Sequence, residues 1–151
     1  MKKLKIAMVH PHDIYSAKEP WTIRIVEIAR KFTEFGHDVK LIYFPLPKDE
    51  RGKLKSNKIK EFETIPFSRR AYHLFANTNR FRKYAKWADV IHLQKCFSNS
   101  VIPALFGAYL CNKPVHYDWD DWEYEIYNFS PPSKLFGWYL NTMEKSMPKL
   151  V

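Results

Sequence analysis

Two apolar runs, Lys5 to His10 and His37 to Phe44, flank a stretch in which Ile25, Ile28, Ala29 and Phe32 recur at i, i+3, i+4 and i+7. The runs read as buried strands, and the spacing between them reads as a helix with one apolar stripe. Pro20 suits the first turn of that helix, and Gly36 ends it because glycine takes the left-handed C′ conformation without a Cβ penalty. A strand, a helix, a glycine and a second strand make a βαβ unit. Such units are built on parallel sheets with right-handed crossovers, and this predicts an α/β domain.

The rest of the chain extends the pattern. Pro11 to Pro20 reads as a long polar loop, and Pro45 to Asn57, punctuated by Pro45, Pro47 and Gly52, as a surface loop. Lys58 to Phe67 is a third strand with untidy alternation. Ser68 is placed to cap a helix from Arg69 to about Trp87. Ala88 to Leu93 is a fourth strand, with a loop from Gln94 to Asn99. Val101 to Leu110 is an apolar helix with Pro103 in its first turn, where a missing N–H does no harm. Val115 to Tyr117 is a fifth strand, and Phe136, Tyr139, Leu140 and Met143 mark a last helix from about Ser133 to Lys149.

The fifth strand runs straight into Asp118, Asp120, Asp121, Glu123 and Glu125, in a chain whose formal net charge is +9. Carboxylates resist burial unless they are paired, protonated or bound to a cation, so this segment reads as the rim of a site rather than as core. In open α/β sheets ligands bind beyond the carboxyl ends of the strands, which is where these acids fall if the fifth strand is parallel. His10 and His92 end predicted strands on the same side and are candidate site residues. His116 lies inside a strand and is expected to be a hydrogen-bonded core imidazole. The bland alternative is a solvated acidic loop that offsets the basic residues around it.

A length of 151 residues suits one domain with a real core, and 46% hydrophobic residues with 17% aromatics suit an ordered one. Cys96 and Cys111 are too few for a disulfide framework and match no zinc spacing, which points to a reducing cytoplasm. The basic start is followed by too short an apolar run for a leader. Val101 to Cys111 falls well short of the roughly 18 residues a spanning helix needs. The basic balance invites nucleic acid, but no RNP, zinc-finger or KH signature accompanies it, and nucleic acid is not the expected partner. The predicted Arg69 to Trp87 helix carries Arg69, Arg70, Arg80, Arg82 and Lys83 beside Tyr72, Phe75, Phe81, Tyr84 and Trp87. Either it packs an aromatic stripe under a solvated cationic face, or those cations rest on an anionic membrane surface, where each contributes about 1 kcal/mol.

Taken in order, Lys5 to His10, Phe35-Gly36-His37-Asp38-Val39, Ala88-Asp89-Val90-Ile91-His92 and Lys113-Pro114-Val115-His116-Tyr117-Asp118 resemble the N-terminal domain of GT-B glycosyltransferases, most closely the retaining family 4 enzymes. The resemblance covers nearly the whole chain. It implies a Rossmann-like parallel sheet with helices on both faces. It also implies an acceptor-side role in moving a sugar from a nucleotide-sugar donor to a glycan or glycolipid, on the cytoplasmic face of the membrane.

In that family the loop after the first strand is usually glycine-rich and lies at the cleft. Here it has no glycine, so Lys18, Thr22 and Arg24 are expected to meet phosphate by their side chains. Family members often carry histidine where Asp120 stands; an anion there suits developing positive charge on a sugar ring or a hydrogen bond to a hydroxyl. Asp118 and Asp121 join it as candidate catalytic residues. Neither a metal nor a cofactor is implied, the nucleotide-sugar being a substrate. Such enzymes hold the nucleotide on a second domain, so the resemblance implies a longer chain or a partner subunit, and little activity for these residues alone. The contrasting class is a non-catalytic scaffold that docks a partner chain.

Three other sources of the acid pattern fit less well. A dehalogenase-type phosphatase wants a small residue where Trp122 stands. The first strand and helix do not resemble a GT-A enzyme with a metal-binding Asp-x-Asp. A nicotinamide-binding Rossmann domain wants G-x-G-x-x-G after the first strand, which is missing.

Overall fold

The computed structural model describes residues 2–15, 20–45, 59–128 and 133–151. Five parallel strands form one sheet in the order β3-β2-β1-β4-β5, with β1 at Lys5–His10, β2 at Asp38–Tyr43, β3 at Glu63–Pro66, β4 at Val90–Gln94 and β5 at Val115–Asp118. Successive residues of a strand point to opposite faces, so the central strands feed two cores. Ile6, Met8, Val39 and Leu41 pack on one face under Ile25, Val26 and Ala29 of α1 (Pro20–Glu34). Ala7, Val9, Ile42, Ile91 and Leu93 pack on the other, under α2 (Leu74–Trp87), α3 (Ser98–Cys111) and Met147 of α5 (Lys134–Leu150). This is the expected Rossmann-like architecture.

The helix ends are decided by local chemistry. Gly36, at φ 86°, lets its own N–H reach Thr33 O at 2.9 Å while His37 N–H reaches Phe32 O at 3.0 Å. This double closure satisfies the last carbonyls of α1. Asn112 does the same for α3 at φ 50°, with Lys113 N–H on Ala108 O at 2.9 Å. At Gly107 a Cβ would stand 2.5 Å from Phe81 Cδ1, so hydrogen is the only side chain that lets α2 and α3 pack this closely.

Several boundaries depart from the sequence reading. The third strand is only Glu63–Pro66; Lys58 and the loop from residue 46 lie outside the described residues. Ser68 does not cap α2. Its hydroxyl accepts from Arg70 N–H at 3.4 Å, and a 3₁₀ turn, Ala71–His73, intervenes before the helix proper. The fourth strand starts at Val90 because Ala88 N–H still bonds Tyr84 O at the end of α2. α3 begins at Ser98, so Pro103 sits a turn deeper than expected and deprives Asn99 O of its helical donor. Within the acid run lies a short helix that the sequence reading left as loop, α4 at Glu123–Asn128. Ser133 accepts from Phe136 N–H at 3.1 Å and caps α5 as expected.

His116 is a correction. Its Nδ1 lies 3.1 Å from His92 Nδ1 and the rings stack at 5.0 Å, but the residue is exposed and not a core imidazole. β5 is the last strand of the sheet, and α1 covers the strands at its centre, so the face that His116 occupies meets solvent.

Candidate functional site

The carboxyl ends of β1, β4 and β5 meet at the point where strand order reverses, between β1 and β4, the position at which open α/β sheets leave a crevice. Each strand ends in a polar residue there: His10 on β1, Gln94 on β4 and Asp118 on β5. His10 is fully buried, and its Nδ1 lies 2.7 Å from Gln94 Oε1. With Gln94 Nε2 donating to Asp120 Oδ2 at 3.0 Å, the amide oxygen must accept, which puts the imidazole proton on Nδ1. The Thr22 hydroxyl stands 3.5 Å from the free Nε2. Burial, with Lys95 and Arg69 nearby, lowers the His10 pKa to about 4, so the ring is neutral at pH 7.

α1 brings Arg24 over the same edge. Its guanidinium donates to both oxygens of Asp118, at 2.7 and 2.8 Å, and also lies 3.5 Å from Asp120 Oδ2. Burial works against a charge on Asp118. His92, whose Nε2 is 3.5 Å away, and Arg24 more than offset it and hold the carboxyl well below the usual carboxylate range.

Lys95 is the residue on which the acid cluster turns. It follows β4 with φ 64°, a conformation that L residues other than Gly, Asn and Asp seldom adopt, and only 3% of it is exposed. That backbone turn carries the ammonium into contact with Glu123, to 2.9 Å from Asp121 and to 3.6 Å from Asp120, beneath the Trp21 ring at 4.8 Å. Burial disfavours the ammonium, but Glu123 and Asp121 outweigh it and its pKa is raised. Oxygens of Asp120, Asp121 and Glu123 lie within 4.8 Å of one another, a spacing that suits a cation. The cation the fold supplies among them is Lys95. Burial raises the Asp120 pKa against the pull of Lys95, and one Asp120 oxygen makes no hydrogen bond among the described residues.

Glu144 of α5 holds the cluster from behind. Its carboxylate accepts from Glu123 N–H at 2.7 Å, Tyr124 N–H at 2.9 Å and Trp119 Nε1 at 3.2 Å, so it closes the N-terminus of α4 and fixes one tryptophan. In front of the acids opens a cleft of about 510 Å³ between Pro20, Trp21, Arg24, Trp119, Asp120, Asp121 and Ile126.

The structure therefore brings His10, Thr22, Arg24, His92, Asp118, Asp120 and Asp121 together at one end of the sheet. Lys18 lies outside the described residues. The basic residues of the α2 region separate. Arg69 and Arg70 line a second cleft near the first, Arg80 donates to Pro66 O at 2.8 Å and stacks over Phe67, and Arg82 and Lys83 are exposed. Among the described residues no helix is long and apolar enough to cross a membrane. Sequence reasoning passed over Gln94, Lys95 and Glu144. For the first two a signal was present, since they directly follow a predicted strand beside the switch point.

No protein-family model and no curated protein matches the sequence. Among solved structures the fold is similar to the C-terminal domain of a hydrogenase from Pyrococcus furiosus, with a TM-score of 0.51, 15% identity, and coverage of 79% of this chain and 95% of that one. It is also similar to a glycosyltransferase from Rickettsia africae, with a TM-score of 0.53 and 17% identity over 85% of this chain. The match spans only 34% of the glycosyltransferase. At these identities the likeness is one of fold.

Proposed function

We propose that this chain is the acceptor-side domain of a GT-B glycosyltransferase related to the retaining family 4 enzymes, working with a donor-binding domain or partner subunit. The observation that carries the reading is Asp120. It is oriented by Gln94, flanked by Lys95 and Arg24, and set in a cleft walled by Trp21 and Trp119. Indole faces cover the apolar faces of sugar rings, while carboxylates accept from hydroxyls; a cleft offering both suits a glycan. Asp120 is then positioned to accept from a sugar hydroxyl or to oppose positive charge developing at the anomeric carbon. Arg24 is committed to Asp118, which makes both positioning residues. His10 donates to Gln94 and so holds the amide that orients Asp120, with Thr22 beside the other ring nitrogen of His10. Lys18 remains part of the proposed phosphate contact.

The fold alone does not choose an activity, because one fold hosts many. A docking module without catalysis is the second reading, and the apolar side chains that α3 exposes, Phe106 at 50% and Tyr109 at 84%, favour it. Labelled-sugar transfer separates the two. Source-cell extract should move label from a nucleotide-sugar into glycan or glycolipid, lose that transfer when this chain is depleted, and regain it when the chain is restored. Transfer indifferent to the chain would leave only the docking reading.

A further inference from the structure

His92 and His116 stand opposite each other on β4 and β5, paired by the parallel register of these two strands. Their Nδ1 atoms are 3.1 Å apart, and the proposed sugar chemistry leaves the pair without a task. We propose that the two imidazoles form a site for a late first-row divalent cation such as zinc, which clips β5 to the sheet. The inference is independent of the glycosyltransferase reading.

The spacing suits an ion. Imidazole nitrogens bind zinc at about 2.0–2.1 Å, so two of them on one ion lie about 2.9 Å apart at a right angle and about 3.3 Å apart at the tetrahedral angle. The 3.1 Å between the two Nδ1 atoms falls inside that interval. The ring centroids are 5.0 Å apart. A straight N–H···N bond would hold them about 5.4 Å apart and two rings aimed at one ion about 4.8 Å apart, so the observed separation is nearer the second.

The far side of His92 is prepared in the same sense. Only 5% of the residue is exposed, and its Nε2 lies 3.5 Å from Asp118 Oδ2 with no hydrogen bond to any other group among the described residues. A carboxylate there favours the proton on Nε2 and leaves the Nδ1 lone pair facing His116. Metal-binding histidines are oriented by carboxylates in this way. Asp118 is itself fixed by Arg24, whose charge it offsets, through bonds of 2.7 and 2.8 Å.

In the free chain the His116 Nδ1–H donates to His92 Nδ1. A cation takes the place of that proton, which passes to Nε2 of the exposed His116 ring, and both Nδ1 lone pairs then bind the ion. Two neutral imidazoles suit zinc, nickel or copper, whereas magnesium and calcium want oxygen ligands. The consequence is mechanical. β5 is a strand of only four residues at the end of the sheet, with β4 beside it, and it carries Asp118. An ion bridging the two strands would hold that carboxylate in register.

The test is a titration of the chain, isotope-labelled in its histidine nitrogens, with zinc chloride and with magnesium chloride, alongside thermal unfolding. One zinc per chain should move the Nδ1 signals of His92 and His116 together and leave those of His10, His12, His37 and His73 in place. Tm should rise with zinc concentration, as it does for any ligand that binds only the folded state, and magnesium should change neither signal nor Tm. His116→Gln, at an exposed position, should fold, lose the rise in Tm and bind zinc at least about tenfold more weakly, since even a lost outer-shell partner costs that much. Shifts confined to other residues, an equal response to magnesium, or affinity unchanged in the variant would overturn the proposal.

Should the variant fail to fold, diethyl pyrocarbonate decides the matter on the wild-type chain. The reagent attacks an unprotonated imidazole nitrogen, which His116 offers at Nε2 until the ion moves the proton there. Zinc should therefore block modification of His116, and EDTA should restore it, while His73 reacts at the same rate throughout. Modification of His116 that is indifferent to zinc would refute the site.

Discussion

Replacing Lys95 by methionine is expected to cost the fold about 3–5 kcal/mol at pH 7, because it leaves buried carboxylates without their cation. Methionine keeps the length and apolar stem of lysine, so packing under Trp21 survives and the loss is one of charge. Asp121 is the more open partner and can turn to water. Glu123 and Asp120 cannot, since both are largely buried and burial already raises both pKa values. The pH dependence has a definite sign. A carboxyl whose folded pKa lies above its unfolded value binds more protons when folded, so its contribution is present in acid and is lost as pH rises through the folded pKa. Removing Lys95 pushes Asp120 and Glu123 further up. The variant should therefore lie closest to wild type near pH 4 and furthest from it at pH 7. Urea unfolding of both proteins at the two pH values measures this; a deficit under about 1 kcal/mol at pH 7 would contradict it.

Between pH 6.5 and about 4 the wild-type chain should lose up to about 3 kcal/mol through His10 alone. An unfolded histidine takes its proton near pH 6.5, whereas His10, buried with its Nδ1–H committed to Gln94, refuses it until about pH 4. A depressed folded pKa gives stability that is complete above the unfolded pKa and falls away as pH drops through the folded one. His12, lowered to about 3, adds to the same fall and carries it to lower pH. Asp118 acts in the same direction, but only below the ordinary carboxylate range, while Asp120 and Glu123 oppose it. His10→Gln should flatten the curve across this window, since glutamine can donate to Gln94 without titrating. Parallel stability curves for the two proteins, or an NMR titration placing His10 near pH 6.5, would contradict the assignment.

The sheet was legible because its signals are local. Ile25, Ile28, Ala29 and Phe32 mark one face of α1, Gly36 marks its end, and the apolar runs at Lys5 and His37 need only their neighbours to be read as strands. That Asp118, Asp120 and Asp121 gather at the carboxyl end of the sheet was legible for a related reason, since carboxylates directly after a strand resist burial in a core. What could not be read was pairing. The partners of Lys95 lie across a chain reversal that only the β4–β5 register creates, with Gln94 opposite Asp118. Glu144 reaches α4 from α5, between elements joined by tertiary packing. The same acids that suggested a loop stabilise the start of a helix, because Glu123 and Glu125 occupy the first turn of α4, where the helix dipole favours negative charge. His116 failed for a different reason: alternation says which residues share a face, not whether a helix covers that face.

The most direct test of the account is Asp120→Asn in the chain assembled with the donor-binding domain or subunit proposed for it, with turnover and acceptor affinity measured side by side. Asparagine can still accept from Gln94 Nε2, so the relay and the cleft should stand. Loss of the charge should lower turnover roughly 10²-fold while acceptor Kd stays within about twofold, the pattern of an interaction made in the transition state. Turnover equal to wild type would remove Asp120 from the chemistry, and with it the reading of this sheet edge as a site of sugar transfer.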